Sequence, residues 1–416
     1  METSSCDNCT TIPSSSHPDL VGWQSEPNGR GTFGLLTTTL STIFLCTWVV
    51  IHPRVSRSET LATLHKVALL AKTLLAPELI AVEGLQEWAQ CRRMVEECSE
   101  LSYGEFEREH AYYISMLALR YQTVDGNRVI WPNQYTWLLQ QGLVHWKDHA
   151  SWRLSLKQIH DKNKTDSITK LITLFQVLWF VATCIMRAAN DLPLSQLESM
   201  TLSYIPLFAI TYYFWWRKPK DVLSPSIVQL PDMTPEQMHE FESMALSDKF
   251  DHGKAPASYW SIWYLTPRVF EKEEEMRSQQ TLGPDIEGCQ APKEIVVAHW
   301  DPYLYRSKII RLLCSMFGAS FGALHLACWN TAFPTVTEMW MWRVSSFVSI
   351  FSLLAFMHFE KVILRWDGLI TIVKIGSPLL YFISRVFMMG EVFAALRAVD
   401  PGVYETYEVS DYGISL

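Results

Sequence analysis

Residues Thr32 to Ile51 read TFGLLTTTLSTIFLCTWVVI, a run without one charged side chain. A helix of that length, at about 1.5 Å rise per residue, covers about 30 Å, the thickness of a bilayer's hydrocarbon core. The preceding stretch, METSSCDNCTTIPSSSHPDL, is polar and has no basic n-region leading into an apolar h-region. It does not have the pattern of a cleaved signal peptide, so the first apolar run is expected to act as its own insertion signal.

Five further windows meet the same requirement, at 169 to 187, 198 to 216, 309 to 330, 339 to 358 and 371 to 391. Lys374, Arg385 and Glu391 interrupt the last of them. With the first window extended to residue 52, the pattern predicts an all-α integral membrane protein, a bundle of about six transmembrane helices. Val67 to Pro77 (VALLAKTLLAP) is long enough only for a re-entrant or interfacial helix. The expected order is an N-terminal segment 1–31, a span 32–52, cytosolic and interfacial helices 53–168, two spans within 169–216, a cytosolic helical insertion 217–308, three spans within 309–391 and a tail 392–416. EFEREHAYYISMLALRYQ and TPEQMHEFESMALSDKF, both in the polar stretches, read as amphipathic helices, the second opening on a capping pattern at Thr234 to Gln237. The acidic run Glu271 to Glu275 reads as a solvated helix face.

Lys and Arg near span ends set the orientation. Arg54, Arg57, Lys157, Lys162, Lys164, Arg217, Lys218, Lys220, Arg306, Lys308, Lys361 and Arg365 fall on one side, against Arg30, Arg187 and Arg397 on the other. Both termini are therefore expected to be lumenal, in the endoplasmic reticulum, with the sequon Asn8-Cys9-Thr10 open to glycosylation and Asn163-Lys164-Thr165 closed to it.

The 416 residues carry 35 basic and 43 acidic side chains, a formal charge of -8, with no basic block. That excludes nucleic acid as a partner, since phosphate contacts need clustered cations. Nine scattered cysteines, with Cys6 and Cys9 the only close pair, make neither a disulfide framework nor a zinc motif.

Several motifs mark a family. They are PNGRGT (Pro27 to Thr32), APE (Ala76 to Glu78), DKNKTD (Asp161 to Asp166), WWRKPKD (Trp215 to Asp221), His325, Trp329, Phe333-Pro334, Glu338, Trp342-Arg343, Arg385, Leu396-Arg397 and Tyr404. Over about residues 27 to 405 the chain resembles the fungal family of multi-span membrane proteins that includes the ascofuranone-type transmembrane terpene cyclase. The resemblance implies secondary metabolism and a lipophilic prenyl or meroterpenoid substrate, often with a terminal epoxide, cyclised by acid without loss of diphosphate. It assigns no catalytic residue.

Ionisable groups within a bilayer are costly and invite a functional reading. Several collect in the half of the bundle expected to face the lumen. Glu338, Glu198 and Asp191 are the candidate catalytic acids, and Arg187, His325, Trp329, Trp342, Arg343, Tyr381 and Arg385 the candidate substrate-binding groups. Burial lets a carboxyl keep its proton near neutral pH, and aromatic faces stabilise a carbocation. Trp329 is expected one turn above His325 on the same helix face, and Glu338 a little over a turn from Arg343. Glu78 and Glu83 are second-site acids, with Pro77 ending or kinking the helix before them. The alternative for all of these charges is structural pairing. In DKNKTD two lysines interleave with the aspartates and no second acidic motif completes a metal cluster, so neither metal nor cofactor is expected and activity should survive chelators. A lipid or small-molecule transporter, or a membrane receptor or scaffold, stays open as an alternative to the cyclase.

Overall fold

The computed structural model describes residues 20–25, 30–55, 59–123, 126–163, 167–245, 254–256, 294–296, 308–358 and 369–406. The Asn8 sequon, Cys6 and Cys9, Lys164, the Glu271 to Glu275 run, Lys361 and Arg365, and the end of the tail lie outside them.

The described residues are mostly helical. Helix α1 (Thr32–Val50) forms over the charge-free run. Its hydroxyls do not oppose an apolar environment, because Thr39, Thr42 and Thr47 donate to the carbonyls of Leu35, Thr38 and Ile43 one turn back. Next come α2 (Glu59–Leu75) and α3 (Pro77–Cys98), which meet at Ala76. The stretch 67–77 is thus the second half of a longer helix and the break that ends it.

Helices α4 (Arg108–Ser115), α5 (Pro132–Gln140) and α6 (Leu156–Lys162) follow, with β1 (Leu119–Thr123) and β2 (Gly126–Val129) between α4 and α5. The helix expected over 105–122 therefore stops at Ser115. Leu117 takes a left-handed φ of 65°, and β1 pairs antiparallel with β2 from Arg120↔Val129 to Thr123↔Gly126. The signal was an Asp-Gly pair between β-branched and aromatic residues, which outweighs the amphipathic pattern upstream. A third strand, β3 (Ser226–Val228), pairs parallel to β1. Phe106, His110, Tyr135, Trp146 and Trp152 form the aromatic core beside this sheet. Helix α9 (Pro235–Ala245) opens on the expected capping box, with Thr234 and Gln237 each bonding the other's backbone. Lys254–Pro256 and Glu294–Val296 pair as a separate ribbon.

The remaining helices are α7 (Ser167–Ala189), α8 (Gln196–Phe214), α10 (Lys308–His325), α11 (Val336–His358) and α12 (Leu369–Ala394). Helix α1 packs on α7 and α8, α3 on α8 and α10, α10 on α8 and α11, and α11 on α12. Among the described residues, four helices are long and apolar enough to cross a membrane: Thr32–Val50, Ile168–Ala189, Lys308–Cys328 and Gly376–Arg397. The helices expected over 198–216 and 339–358 form as α8 and α11 but fall outside those four. Leu171, Phe175, Leu178 and Ile185 of α7 are each at least 60% exposed. A stripe of that kind suits a lipid-facing helix and would be a liability in water.

Candidate functional site

The site begins at the break between α2 and α3. Pro77 has no N–H and its ring collides with the carbonyl four residues back, so α2 cannot continue through it. The carbonyls of the last turn are left without helical partners. Side chains from distant helices take them up. Tyr204 of α8 donates its hydroxyl to the Leu74 carbonyl, and Arg385 of α12 donates Nε to the Leu75 carbonyl at 2.7 Å.

Glu78 sits in the first turn of α3 and is fully buried. Tyr381 of α12 donates its hydroxyl to Glu78 Oε1 at 2.6 Å; the same hydroxyl lies 3.4 Å from the Leu75 carbonyl, too far to compete for its single proton. Oε2 has no hydrogen-bond partner. Burial pushes the Glu78 carboxyl above the usual range, while the charge of Arg385 and the Tyr381 hydroxyl draw it back without cancelling the shift.

Aromatic faces surround this group. The Arg385 guanidinium carbon stands 3.6 Å from the centroid of Phe321, and the Phe321 ring meets Tyr204 at 4.9 Å and His325 at 4.3 Å. His325 holds Nδ1 2.7 Å from the Phe321 carbonyl. A carbonyl only accepts, so Nδ1 carries the hydrogen and, in the neutral ring, Nε2 carries a lone pair. Trp342 lies beside His325 with ring centroids 5.3 Å apart and planes tilted by 39°, and donates Nε1 to its carbonyl. Glu78, His325 and Arg385 are at most 1% exposed, and each keeps one side-chain atom, Oε2, Nε2 and Nη2, without a partner. Buried polar groups are nearly always satisfied, so three such atoms on linked residues need a reason.

The expected acids lie elsewhere. Arg187, Glu198, Glu338 and Arg397 lie where the N- and C-terminal segments of the described chain meet: Arg30 pairs with Glu198, Arg187 reaches the carbonyls of Gly402, Val403 and Glu405, and Val21 pairs with Val399. Glu198 closes a capping box with Ser195 and pairs with Arg30. Glu338 pairs with Arg397, not with Arg343. Arg187 donates to the carbonyls of Pro193, Gly402, Val403 and Glu405 and so ties the C-terminal segment down. Asp191 is exposed in a turn at φ 55°.

Of the expected substrate-binding groups, the structure brings His325, Trp342, Tyr381 and Arg385 into the interior. Trp329 does not join them. Helix α10 ends at His325 and tightens into a 3-10 turn, which swings Trp329 to the surface, where Arg343 lies 4.3 Å over its ring and donates to its carbonyl. Sequence reasoning missed Tyr204 and Phe321, and ranked Glu78 behind Glu338. The signal for Glu78 was a carboxylate directly after a proline inside an apolar run. Among the described residues, no three His, Cys, Asp or Glu side chains are placed to share a metal ion. Of DKNKTD, Asn163 accepts from the Lys220 backbone N–H.

Residues 8–111 and 152–278 match a family described as a family of unknown function (DUF8562). No curated protein and no solved structure matches the chain. The matched segments cover more than half of the sequence and take in Glu78 and Tyr204 but not Tyr381 or Arg385. The chain therefore belongs to the family of unknown function DUF8562.

Proposed function

We propose that the protein is a terpene cyclase of the endoplasmic reticulum membrane, with six spans and both termini in the lumen, that starts ring closure of a lipophilic prenyl or epoxyprenyl substrate by protonation. The observation that carries this reading is the Glu78 carboxyl, buried in an aromatic interior with one oxygen held by Tyr381 and the other unpartnered. In its neutral form Oε1 is engaged as an acceptor, so the proton sits on Oε2, the oxygen free to deliver it. The resemblance noted in the sequence supports the same substrate class.

Each neighbour then has a role. Glu78 Oε2–H protonates an epoxide oxygen or alkene carbon and becomes a carboxylate. Arg385 and the Tyr381 hydroxyl stabilise that carboxylate at the moment it forms, which is where such interactions accelerate a reaction. The faces of Tyr204, Phe321 and Trp342 stabilise the migrating cation. The His325 Nε2 lone pair takes up the proton lost when the cation collapses to an alkene and returns it to the Glu78 carboxylate before the next turnover, so product and substrate have equal mass. Glu338 and Glu198 hold the end of the bundle through Arg397 and Arg30.

Membranes containing the protein, incubated with a panel of prenyl and epoxyprenyl compounds, should yield cyclised isomers of unchanged mass, with and without EDTA. Recovery of every compound unchanged would overturn the cyclase reading. One observation favours a second reading, transport: α2 and α3 form a discontinuous helix whose carbonyls face a buried cation, a feature of transporter sites. Uptake of those compounds into sealed vesicles without isomerisation would select it.

A further inference from the structure

Outside the Glu78 cluster, the described residues form a half-open apolar groove of about 440 Å³ between α1, α7 and α8. Cys46, Val50, Leu174, Val177, Ile205 and Ala209 give it hydrocarbon walls. Its volume lies in the lower part of the range of about 300 to 1,000 Å³ typical of ligand sites, room for one hydrocarbon chain.

One end of the groove is different. Lys170, Tyr212 and Trp216 line it, and the Lys170 ammonium stands 5.7 Å from the Tyr212 ring centroid and 5.5 Å from that of Trp216. The neighbouring cations are occupied. Lys66 pairs with Asp221 at 3.0 Å, Lys218 with Glu87 at 2.7 Å, and Arg217 with Glu107 and Glu109. Lys220 donates to the carbonyls of Trp48 and Val49 at the end of α1. Among the described residues no carboxylate lies within ion-pair distance of Lys170, so among them its ammonium stands uncompensated at the mouth of the apolar groove.

We propose that this groove binds a single-chain anionic amphiphile, its hydrocarbon chain between α1, α7 and α8 and its head group on Lys170. The ligand enters from the bilayer, along the exposed apolar stripe of α7. The proposal does not rest on the cyclase reading, since it uses none of the Glu78 cluster.

The test is displacement of a fluorescent fatty acid from the purified full-length protein in non-ionic detergent. Competitors are laurate, myristate, palmitate, palmitoyl lysophosphatidate, hexadecanol and hexadecyltrimethylammonium. Affinity should rise about fourfold per methylene from laurate to palmitate, and palmitate should exceed hexadecanol at least about tenfold, as expected for a hydrogen bond to a charged group. Lys170→Gln should remove that tenfold preference and leave hexadecanol unchanged. Ala209→Phe should weaken every chain alike by filling the groove. Preference for palmitate over palmitoyl lysophosphatidate identifies a free carboxylate as the head group; the reverse identifies a lipid phosphate. Equal affinity for palmitate, hexadecanol and hexadecyltrimethylammonium, or an unchanged palmitate affinity in Lys170→Gln, overturns the proposal.

Discussion

Replacing Tyr381 by Phe isolates the interaction on which the Glu78 site depends. The ring stays, so packing against its neighbours is kept, and only the hydroxyl that donates to Glu78 Oε1 at 2.6 Å is lost. The Leu75 carbonyl keeps its bond from Arg385 Nε at 2.7 Å. Glu78, whose Oε2 already lacks a partner, would then have neither oxygen satisfied by a side chain. Leaving a buried acceptor unsatisfied costs about 1 to 3 kcal/mol, whereas removing both partners together is nearly neutral. Tyr381→Phe should therefore destabilise the wild type by about 1 to 3 kcal/mol but the Glu78→Leu variant by less than about 0.5 kcal/mol, a coupling of the size seen for residues in contact. Equilibrium unfolding in mixed micelles, followed by tryptophan fluorescence, reads the four proteins. An equal cost of Tyr381→Phe in both backgrounds would show that the hydroxyl does not serve Glu78.

Three further predictions follow from other parts of the molecule. A Cβ at Gly322 would lie 2.6 Å from Ile350 Cγ1 and 2.9 Å from the Ser346 carbonyl, so Gly322→Ala should force α10 and α11 apart at a cost of about 1 to 3 kcal/mol; Gly376→Ala, which meets nothing within 4 Å, should cost nothing in the same unfolding titration. His110 is buried against Phe106 and Trp146, and burial pushes its pKa down to about 4. The unfolded chain takes up this proton near pH 6.5 and the folded one only near 4, so the contribution of His110 is full above the first value and falls by about 3 kcal/mol between them; His110→Gln should reduce the fall in unfolding stability across this window by that amount, leaving the part due to His52. The half-exposed Glu338–Arg397 pair should contribute less than about 1 kcal/mol, so Glu338→Gln should fold and keep turnover in the isomer assay.

What the sequence revealed follows the range over which each signal acts. Helix α1 was legible because twenty adjacent residues meet one local requirement, and the Thr234 capping box because its partners are three residues apart. The site was not. Glu78 and Tyr381 are 303 residues apart, and no local pattern says that the break at Pro77 opens onto α12. Glu338 and Glu198 read as candidate acids because charges at span ends look alike in a sequence whether they are paired or free. Trp329 was placed beside His325 by assuming that α10 runs on, and a single tightened turn put Trp342 there instead. The hairpin at Leu119 to Val129 was signalled by the Asp-Gly pair in the sequence, beneath an amphipathic pattern that suggested helix.

The central claim is that Glu78 delivers the proton. Glu78→Gln keeps the shape and an acceptor for Tyr381 but removes the transferable proton, so turnover per correctly folded molecule should fall at least about a hundredfold, the low end for general acid catalysis. The measurement is cyclised product formed from the epoxyprenyl substrate, normalised to folded protein by size-exclusion chromatography. A loss of that size in Glu78→Gln, beside normal turnover in Glu338→Gln, is the predicted result; a normally folded Glu78→Gln that turns over at the wild-type rate would contradict it.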